Sequence, residues 1–396
     1  MGVEVIKKIV VVGAGTMGHG IAQVCAMHGY DVVLIDIKDE ILQKAMEKIK
    51  WSLNKFVEKK RIRPEQAEAT FNRIKPTTKY EGYVEDADFA IEAVVERMDI
   101  KKLVFSKLDQ LMPEHAILTS NTSSLSITEM GRATGRPDKV AGMHFFNPPQ
   151  LMQLVEVIKG EDTSDETAQT VIELAKRLGK TPVLCKKDVR GFIVNRILMP
   201  VFADAFWALH KGETDIEAVD ASLKYDVGFP MGIFELADYV GIDIIYEVGK
   251  VMYEAYGERA KPCPIVEELV KAGKLGQKAG AGFYDWSKGR PRIPFEKVGE
   301  WDTARTWAVA INEAAWIVHD DVAEPKDIDT AMKLGTGWPL GPCEQADKMG
   351  LDKVLAKLRE LYNRYGLEMY KPCPLLEDYV AKGWTGRKAG RGFYTY

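Results

Sequence analysis

The chain has 396 residues, of which 46% are hydrophobic and 28% charged, and a formal net charge of -4. This length accommodates two or three domains of ordinary globular composition, and the mildly acidic balance gives no reason to expect nucleic acid as a partner. The five cysteines include no C-x-x-C pair, and the only apolar N-terminal run, 9–12, is far shorter than a bilayer span; we therefore expect a cytoplasmic protein without structural zinc, disulfides or a membrane partner.

The first 36 residues predict a strand–helix–strand unit. Short apolar runs at 9–13 and 31–36 are typical of buried strands, and a helical pattern lies between them at 16–28. Two strands joined by a helix form a βαβ unit in which the strands are parallel.

The turn after the first strand is Gly13-Ala14-Gly15-Thr16-Met17-Gly18, a G-x-G-x-x-G motif at the start of a helix. Gly13 permits the tight turn, Gly15 allows a pyrophosphate to approach the backbone, and Gly18 allows close helix–strand packing. Asp36 ends the second strand, where a carboxylate binds a ribose 2′-hydroxyl and repels a 2′-phosphate. The sequence thus predicts a Rossmann domain that binds NAD in preference to NADP, with Gly13, Gly15, Thr16, Met17, Gly18 and Asp36 at the cofactor.

The pattern continues to about residue 185 and then changes. Residues 38–75 predict a long helical stretch with eight Lys and three Arg against six acidic residues. Further predicted elements are the strands 87–95, 116–120, 140–145 and 181–185 and the helix 165–178. From Phe192 onward strand signals disappear, and Pro and Gly punctuate long amphipathic runs, which predicts an all-helical region.

The sequence pattern of that helical region occurs twice. The run 261–264 (KPCP) with 280–284 (GAGFY) returns 110 residues later as 371–374 (KPCP) with 390–394 (GRGFY). The run 228–232 (GFPMG) returns 109 residues later as 337–341 (GWPLG). A period this long indicates a duplicated domain and not a solenoid. The predicted organisation is an α/β domain at 1–188, a first helical repeat at 189–286, a linker at 287–300 and a second repeat at 301–396.

One histidine stands out as a candidate base. His144 ends a predicted strand, follows a hydroxyl-rich loop at 120–125 and precedes a carboxylate at Glu156. Removal of hydride from an alcohol also requires removal of the hydroxyl proton, and histidine titrates in the right range. The pattern alone does not distinguish this role from that of a hydrogen-bonded structural histidine.

The runs 121–125 (NTSSL), 142–158 (GMHFFNPPQLMQLVEVI) and 190–196 (RGFIVNR) resemble the 3-hydroxyacyl-CoA dehydrogenase family, and the resemblance covers nearly the whole chain. It implies that His144 is the acid/base and Glu156 its orienting partner. It implies further that Ser123 and Asn195 hold the substrate oxygen and the site geometry. Family positions on the cofactor side correspond to Glu96, Lys101, Asn147 and, again, Ser123.

The basic segment 38–75 fits this resemblance, because it offers a cationic surface to the phosphates of coenzyme A. The resemblance places Ser52 and Lys59 at this ligand. Each is equally well explained as part of a solvated amphipathic face.

The duplication implies one active site per chain. There is one glycine motif, and the second repeat has Ala304 at the position of Asn195. Single-repeat members of the family resemble homodimers that pair through the helical domain, so two copies in one chain are expected to form an internal pseudo-dimer and leave the chain a monomer.

Two other readings stay open. The chain is an alternative candidate for a β-hydroxyacid dehydrogenase that acts on a free acid, although that class generally uses a lysine base. A non-catalytic dinucleotide-binding protein on the same scaffold is the second alternative.

Overall fold

The computed structural model describes residues 2–396, and it divides after Val189 into two compact units. The first unit is an α/β domain and the second, Arg190–Tyr396, is helical. This architecture confirms the predicted fold class, a Rossmann-type domain followed by two helical repeats.

The first unit is built on an eight-stranded sheet with the order β3-β2-β1-β4-β5-β6-β7-β8. Strands β1 to β6 are parallel, β7 is antiparallel to β6, and β8 is parallel to β7. The strands are β1 (Lys8–Val12), β2 (Asp31–Ile35), β3 (Ile74–Thr77), β4 (Phe89–Glu92), β5 (Ile117–Ser120), β6 (Val140–Phe145), β7 (Leu154–Lys159) and β8 (Thr181–Cys185). Nearly every residue of β1, β2 and β4 to β7 is buried, which is why these strands appear in the sequence as continuous apolar runs.

Six α-helices accompany this sheet. They are α1 (Gly18–Met27), α2 (Asp39–Glu58), α3 (Pro64–Asn72), α4 (Met98–Leu111), α5 (Ile127–Gly131) and α6 (Asp165–Arg177). Local signals fix their ends: the Ser164 hydroxyl caps α6 by accepting a hydrogen bond from the Thr167 amide, and Pro64 opens α3.

The structure differs from the sequence prediction in two places. The stretch 38–75, predicted as one long helical segment, is two helices followed by the start of β3, because the chain turns at Lys60 with a positive φ of 56° and then pairs Ile74 with Val32 on β2. Strand β7 was named only as a motif. Its first five residues are all buried and Glu156 is the one polar residue among them, so the strand lacks the alternation of polar and apolar residues that would mark a half-exposed strand.

The second unit contains ten α-helices in two sets of five. The first set is α7 (Val194–His210), α8 (Ile216–Ala221), α9 (Ile233–Val240), α10 (Ile242–Tyr256) and α11 (Pro264–Lys271). The second set is α12 (Thr303–His319), α13 (Pro325–Thr336), α14 (Pro342–Met349), α15 (Leu351–Tyr365) and α16 (Pro374–Ala381). Helices α7 and α12, and likewise α10 and α15, begin and end at positions 109 residues apart. Helix α13 is continuous where the first repeat has α8 followed by a π-helical segment at Ser222–Val227.

Reciprocal ion pairs join the two repeats. Arg196 on α7 donates to Glu313 on α12 at 2.7 Å, and Arg305 on α12 donates to Asp204 on α7 at 2.7 Å. Arg196 and Arg305 are equivalent positions of the duplication, and so are Asp204 and Glu313. Exchange of equivalent residues across a contact is the mark of a twofold interface. The two repeats therefore contact each other through equivalent residues, as copies related by a twofold axis do.

Candidate active site

The glycine motif lies where the strand order of the sheet reverses. Strands β1 and β4 are neighbours there, and their carboxyl ends lead into the loops at 13–17 and 93–97. In open parallel sheets, such a switch point forms the crevice in which ligands bind.

Three glycines of the motif have three distinct structural reasons. Gly13 has φ +100°, and a Cβ there would lie 2.5 Å from the Ala93 carbonyl oxygen. A Cβ at Gly18 would lie 1.7 Å from the Gly13 carbonyl oxygen. A Cβ at Gly15, by contrast, would meet no atom within 4 Å and would project into open space. Glycine is required at Gly13 and Gly18 by contacts within the protein, whereas Gly15 keeps a surface beside the helix N-terminus clear for a ligand.

Asp36 completes this cradle from the end of β2. One of its carboxylate oxygens accepts a hydrogen bond of 2.7 Å from the Ala14 amide, and the other accepts one of 2.7 Å from the Ile37 amide. The side chain is thereby fixed beside the glycine turn. An open backbone surface at a helix N-terminus with an acid after the second strand fits NAD, whose pyrophosphate and adenosine ribose need those two features. Thr16 is exposed and Met17 half-buried at the same turn.

His144 and Glu156 form a cross-strand pair. They lie directly opposite each other in the antiparallel register of β6 and β7, and His144 Nδ1 is 2.7 Å from a Glu156 carboxylate oxygen. Both side chains are buried, with 7% of His144 and 1% of Glu156 exposed. A carboxylate only accepts, so the pair places a proton on Nδ1 and the lone pair of the neutral ring on Nε2.

A buried lysine organises the acidic residues after β4. Lys101 on α4 is 1% exposed and contacts Glu92 at 2.7 Å and Glu96 at 3.2 Å. Partial burial acts to raise the pKa of Glu96, but the Lys101 ammonium and the Thr122 hydroxyl outweigh it and hold that pKa below its ordinary value. Glu96 is thus a fixed carboxylate, and Lys101 acts through it and not by presenting its own ammonium.

Glu96 ties this network to the hydroxyl-rich loop after β5. Its carboxylate accepts hydrogen bonds from the Thr122 hydroxyl, from the Ser123 amide at 3.1 Å and from the Ser124 hydroxyl at 3.3 Å. The predicted site residues Glu96, Lys101 and Ser123 therefore belong to one connected network. Ser123 itself is half-buried at the carboxyl edge of the sheet.

Two further contacts fix the loops around His144. The Asn121 side-chain oxygen accepts a hydrogen bond of 2.8 Å from the Phe145 amide, which joins the loop after β5 to the end of β6. The Lys180 ammonium donates to the Pro149 and Met152 carbonyls at 2.5 and 2.8 Å, and burial lowers its pKa to about 8. The loop that carries Asn147 is therefore anchored at both ends.

The residues predicted at coenzyme A have different environments. Ser52 belongs to the buried face of α2 and is 5% exposed, whereas Lys59 caps the end of the same helix and is exposed. Of the two, Lys59 is the one whose polar group is accessible to a phosphate.

Asn195 lies in the first turn of α7, in the helical unit, and is half-buried. Its counterpart in the second repeat, Ala304, occupies the same turn of α12. The two repeats thus differ in polarity at this turn while sharing its backbone structure.

Sequence reasoning missed several residues of the network. Glu92 accepts from Lys101, from the Val94 amide at 2.6 Å and from the Ser120 hydroxyl at 2.6 Å, and it is fully buried. The available signal was an acidic residue that ends a strand of otherwise apolar residues, because such a charge needs a buried partner. Asn121 and Lys180 gave no comparable signal, since their partners are backbone groups distant in sequence.

Family models identify both units. The model described as the NAD binding domain of 3-hydroxyacyl-CoA dehydrogenase matches residues 8–189, and the model of the C-terminal domain matches residues 191–286 and again 303–396. The chain belongs to the 3-hydroxyacyl-CoA dehydrogenase family. The predicted family and the predicted cofactor, NAD, are thereby confirmed.

Individual relatives agree with this assignment. A 3-hydroxyadipyl-CoA dehydrogenase of Escherichia coli K12 is 33% identical, over 94% of this chain and 97% of that protein. A probable 3-hydroxybutyryl-CoA dehydrogenase of Deinococcus radiodurans is 44% identical over its whole length, which corresponds to 70% of this chain. A crystal structure of 3-hydroxybutyryl-CoA dehydrogenase from Escherichia coli K12 superposes with a TM-score of 0.90 at 32% identity, over 95% of this chain and 98% of that one.

Among residues 2–396, none of the helices combines the length and the apolar character that crossing a membrane requires. Within the same residues, no three His, Cys, Asp or Glu side chains are grouped so as to hold a metal ion.

Proposed function

We propose that the chain is an (S)-3-hydroxyacyl-CoA dehydrogenase that reversibly oxidises 3-hydroxyacyl-CoA, such as 3-hydroxybutyryl-CoA, to 3-ketoacyl-CoA. The observation that carries the proposal is the buried His144–Glu156 pair at 2.7 Å, on two strands of the sheet that contains a dinucleotide-binding switch point. An oxidoreductase for alcohols needs one proton acceptor next to its hydride acceptor, and this pair is built as one.

His144 is the acid/base of this reaction. In the oxidative direction its Nε2 takes the hydroxyl proton while the C3–H bond breaks with its electron pair, and in reverse it returns the proton to the 3-keto oxygen. NAD⁺ supplies the hydride acceptor when it is bound. Glu156 holds the ring so that Nε2 faces the substrate and stabilises the imidazolium that forms.

Ser123 and Asn195 serve the substrate in this proposal. Ser123 offers a hydroxyl on a loop that Glu96 fixes by accepting a hydrogen bond from the Ser123 amide. Asn195 offers a side-chain amide at the start of α7. Such groups fix the substrate oxygen while it gains or loses charge.

Further residues contact the cofactor. Glu96, positioned by Lys101, serves the nicotinamide side, and Asn147 lies on a loop that Lys180 anchors. The glycine motif 13–18 holds the pyrophosphate, and Asp36 holds the adenosine ribose.

The basic segment 38–75 receives the phosphates of coenzyme A. Lys59 is its accessible contact, and Ser52 contributes only where its buried hydroxyl is reached from the edge of α2. We assign residues 1–188 to the cofactor domain, 189–286 and 301–396 to the helical repeats and 287–300 to the linker.

The chain acts as a cytoplasmic monomer with one active site in this proposal. The reciprocal ion pairs between the repeats support it, because they satisfy within one chain a surface that would otherwise need a second chain. A sedimentation mass of two chains held together by repeat-to-repeat contacts would contradict it.

The test is oxidation of NADH by acetoacetyl-CoA, followed by absorbance, with free acetoacetate as the parallel control. Turnover with only the CoA ester is the expected result. Turnover with the free acid would favour a β-hydroxyacid dehydrogenase, and NADH binding without turnover of either would favour a non-catalytic dinucleotide-binding protein.

A further inference from the structure

The first helical repeat contains a cavity of about 200 Å³ between α7, α10 and α11. Its walls are mainly apolar. The side chains that close it are Met199, Phe202, Phe206, Ile245, Met252 and Val266. Apolar cavities of about 150 Å³ bind ligands as large as benzene, so this one has room for an alkyl chain of about six carbons.

One residue of the cavity wall is smaller than its counterpart in the second repeat. Gly249, in the middle of α10, lines the cavity, whereas its counterpart 109 residues on is Leu358, a fully buried residue of α15. A Cβ at Gly249 would lie 3.6 Å from Met199 Cε, an ordinary contact, so no neighbour forbids a side chain there. Glycine inside a helix destabilises it relative to residues with side chains. The glycine is therefore explained by the space it leaves and not by the backbone.

A second difference opens the same cavity. In the second repeat Asn312 ties the 371–374 loop to α12: its amide donates to the Lys371 carbonyl at 2.9 Å, and its oxygen accepts from the Cys373 amide at 2.8 Å. The first repeat has Ala203 at this position, and Ala203 lines the cavity together with the equivalent 261–264 loop. Relative to the second repeat, Gly249 and Ala203 leave space at the cavity, whereas Met199 and Phe206 narrow it, since their counterparts are Ala308 and Ala315.

The cavity continues the helix face that begins at Asn195. Asn195, Met199, Phe202 and Phe206 are spaced at i, i+4, i+7 and i+11 on α7, which places them on one stripe of the helix. The proposed function assigns Asn195 to the substrate oxygen. An alkyl chain attached near that oxygen would follow this stripe into the cavity.

The basic residues at the cavity already have partners. Lys250 pairs with Glu247 at 2.7 Å, Arg259 with Glu313 at 3.3 Å and Lys261 with Glu258 at 2.9 Å. With these cations neutralised by acids of the chain itself, the cavity suits an uncharged hydrocarbon end better than a carboxylate.

We infer that this cavity receives the distal alkyl chain of the acyl-CoA substrate and that Gly249 sets the chain length the enzyme accepts. The inference rests on the proposed function for the identity of the ligand. It predicts that the enzyme accepts medium chains beyond four carbons and that a side chain at position 249 shortens the range.

The first experiment measures binding and needs no turnover. Dissociation constants of butanoyl-CoA, hexanoyl-CoA and decanoyl-CoA are determined by calorimetry for the wild type, Gly249→Ala and Gly249→Leu. Each methylene removed from water is worth up to about fourfold in affinity, so the wild type should bind decanoyl-CoA more than about tenfold more tightly than butanoyl-CoA. Gly249→Leu should abolish this gain, and Gly249→Ala, which adds one methyl group, should reduce it in part.

The controls separate the cavity from general effects on α10. Ala255→Leu adds a leucine side chain at an exposed position of the same helix, and the ratio of the decanoyl-CoA to the butanoyl-CoA constant should stay at the wild-type value. Thermal unfolding of each variant shows whether it is folded. If Gly249→Leu does not fold, Gly249→Ala still tests the inference, because its added methyl group makes only an ordinary contact.

Three outcomes would overturn the inference: no gain with chain length in the wild type, a gain that survives in folded Gly249→Leu, or tighter binding of adipoyl-CoA than of hexanoyl-CoA. The last would mean that the cavity binds a terminal carboxylate. Failure of the proposed function looks different, since it would appear as loss of acetoacetyl-CoA turnover in a wild type that still binds acyl-CoA with a chain-length gain.

Discussion

Phe229 stacks on Trp338, the residue that occupies the same position in the second repeat, with ring centroids 4.4 Å apart and planes 8° from parallel. A residue that contacts its own counterpart lies on the axis that relates the two copies. The neighbouring prolines repeat this relationship in exchanged form, since Pro230 lies against Gly337 and Pro339 against Gly228. The axis therefore passes between the two G-x-P loops, and the reciprocal ion pairs flank it.

Removal of one acid from these ion pairs should destabilise the helical unit. Asp204 is 1% exposed and is the nearer carboxylate partner of buried Arg305, so Asp204→Ala leaves that guanidinium with only the more distant Glu213 at 3.6 Å. We expect a loss of about 3–5 kcal/mol in the free energy of unfolding, measured by urea denaturation. The exposed Glu254→Ala is the matched control and should change it by less than about 0.5 kcal/mol. Equal losses for both variants would contradict a structural role for the pair.

His144→Gln should remove activity and leave cofactor binding in place. General acid–base catalysis contributes about 10²–10⁴-fold, so kcat should fall by at least about 100-fold while the NADH dissociation constant changes little. His115→Gln alters an exposed histidine bonded to Asp88 and serves as the control. Retention of kcat within a few-fold in His144→Gln would remove this residue from the mechanism.

Glu156→Gln tests orientation as distinct from proton transfer. A glutamine is able to donate to Nδ1 as well as accept from it, so the preferred tautomer of His144 is lost and with it part of the base strength. We expect kcat to fall with KM nearly constant, and the pH at which activity reaches half its maximum to move. A His144→Gln/Glu156→Gln double variant should be little worse than His144→Gln alone. Additive losses would mean that Glu156 acts independently of the histidine.

Replacement of Asp36 should weaken the preference for NAD over NADP. In Asp36→Ala the carboxylate that would repel a 2′-phosphate is gone, and so are its bonds to the Ala14 and Ile37 amides. The ratio of kcat/KM for NAD to that for NADP should fall by about tenfold or more, mainly through poorer use of NAD. An unchanged ratio would show that another residue selects the cofactor.

Stability should depend on pH through a buried aspartic acid in each repeat. Burial raises the pKa of Asp220 from 3.8 to about 7 and that of its counterpart Asp329 to about 6. A carboxyl group whose pKa is higher in the folded state stabilises the fold most below pH 3.8, and this contribution is lost as pH rises through the folded-state value. The stability of the wild type relative to Asp220→Asn should therefore fall between about pH 4 and about pH 7.

The second repeat supplies the comparison for that measurement. Asp329 accepts hydrogen bonds from two helix-terminal amides and from the Tyr394 hydroxyl, as Asp220 does from two amides and Tyr284. The stability of the wild type relative to Asp329→Asn should show the same trend, with the fall ending about one pH unit lower, near pH 6. A relative stability that is flat with pH for both variants would show that these acids titrate normally in the folded protein.

Much of the fold was predictable because its signals are local. The glycine motif, the apolar strands and the repeated Pro and Gly positions each reflect short-range backbone requirements, and they located β6 and β8 to the residue. The sequence did not predict strand β3 (Ile74–Thr77), because a four-residue edge strand after a long helical pattern has almost no periodicity of its own. Only its pairing with β2 makes it a strand.

The site divides in the same way. His144 and Glu156 were named from the motif resemblance, but their contact depends on the antiparallel register of β6 and β7, which the sequence does not state. The Glu92–Lys101 pair was invisible because its two charges come from a strand and a helix that meet only in the folded domain. The sequence did not predict the cavity beside Gly249, since an isolated glycine in a helix does not indicate what surrounds it. The meaning of this glycine becomes clear only when the two repeats are compared.

Because the two helical repeats are covalently linked, substitutions in one repeat are not imposed on the other. In a homodimer every substitution appears on both sides of the axis, so each subunit must keep every function, and the pair separates on dilution. Here the two copies stay at a fixed effective concentration and mutate independently. One copy has kept Asn195 and the open space at Gly249, and the other has Ala304 and Leu358 in their places. Specific activity should accordingly be the same at nanomolar and micromolar enzyme.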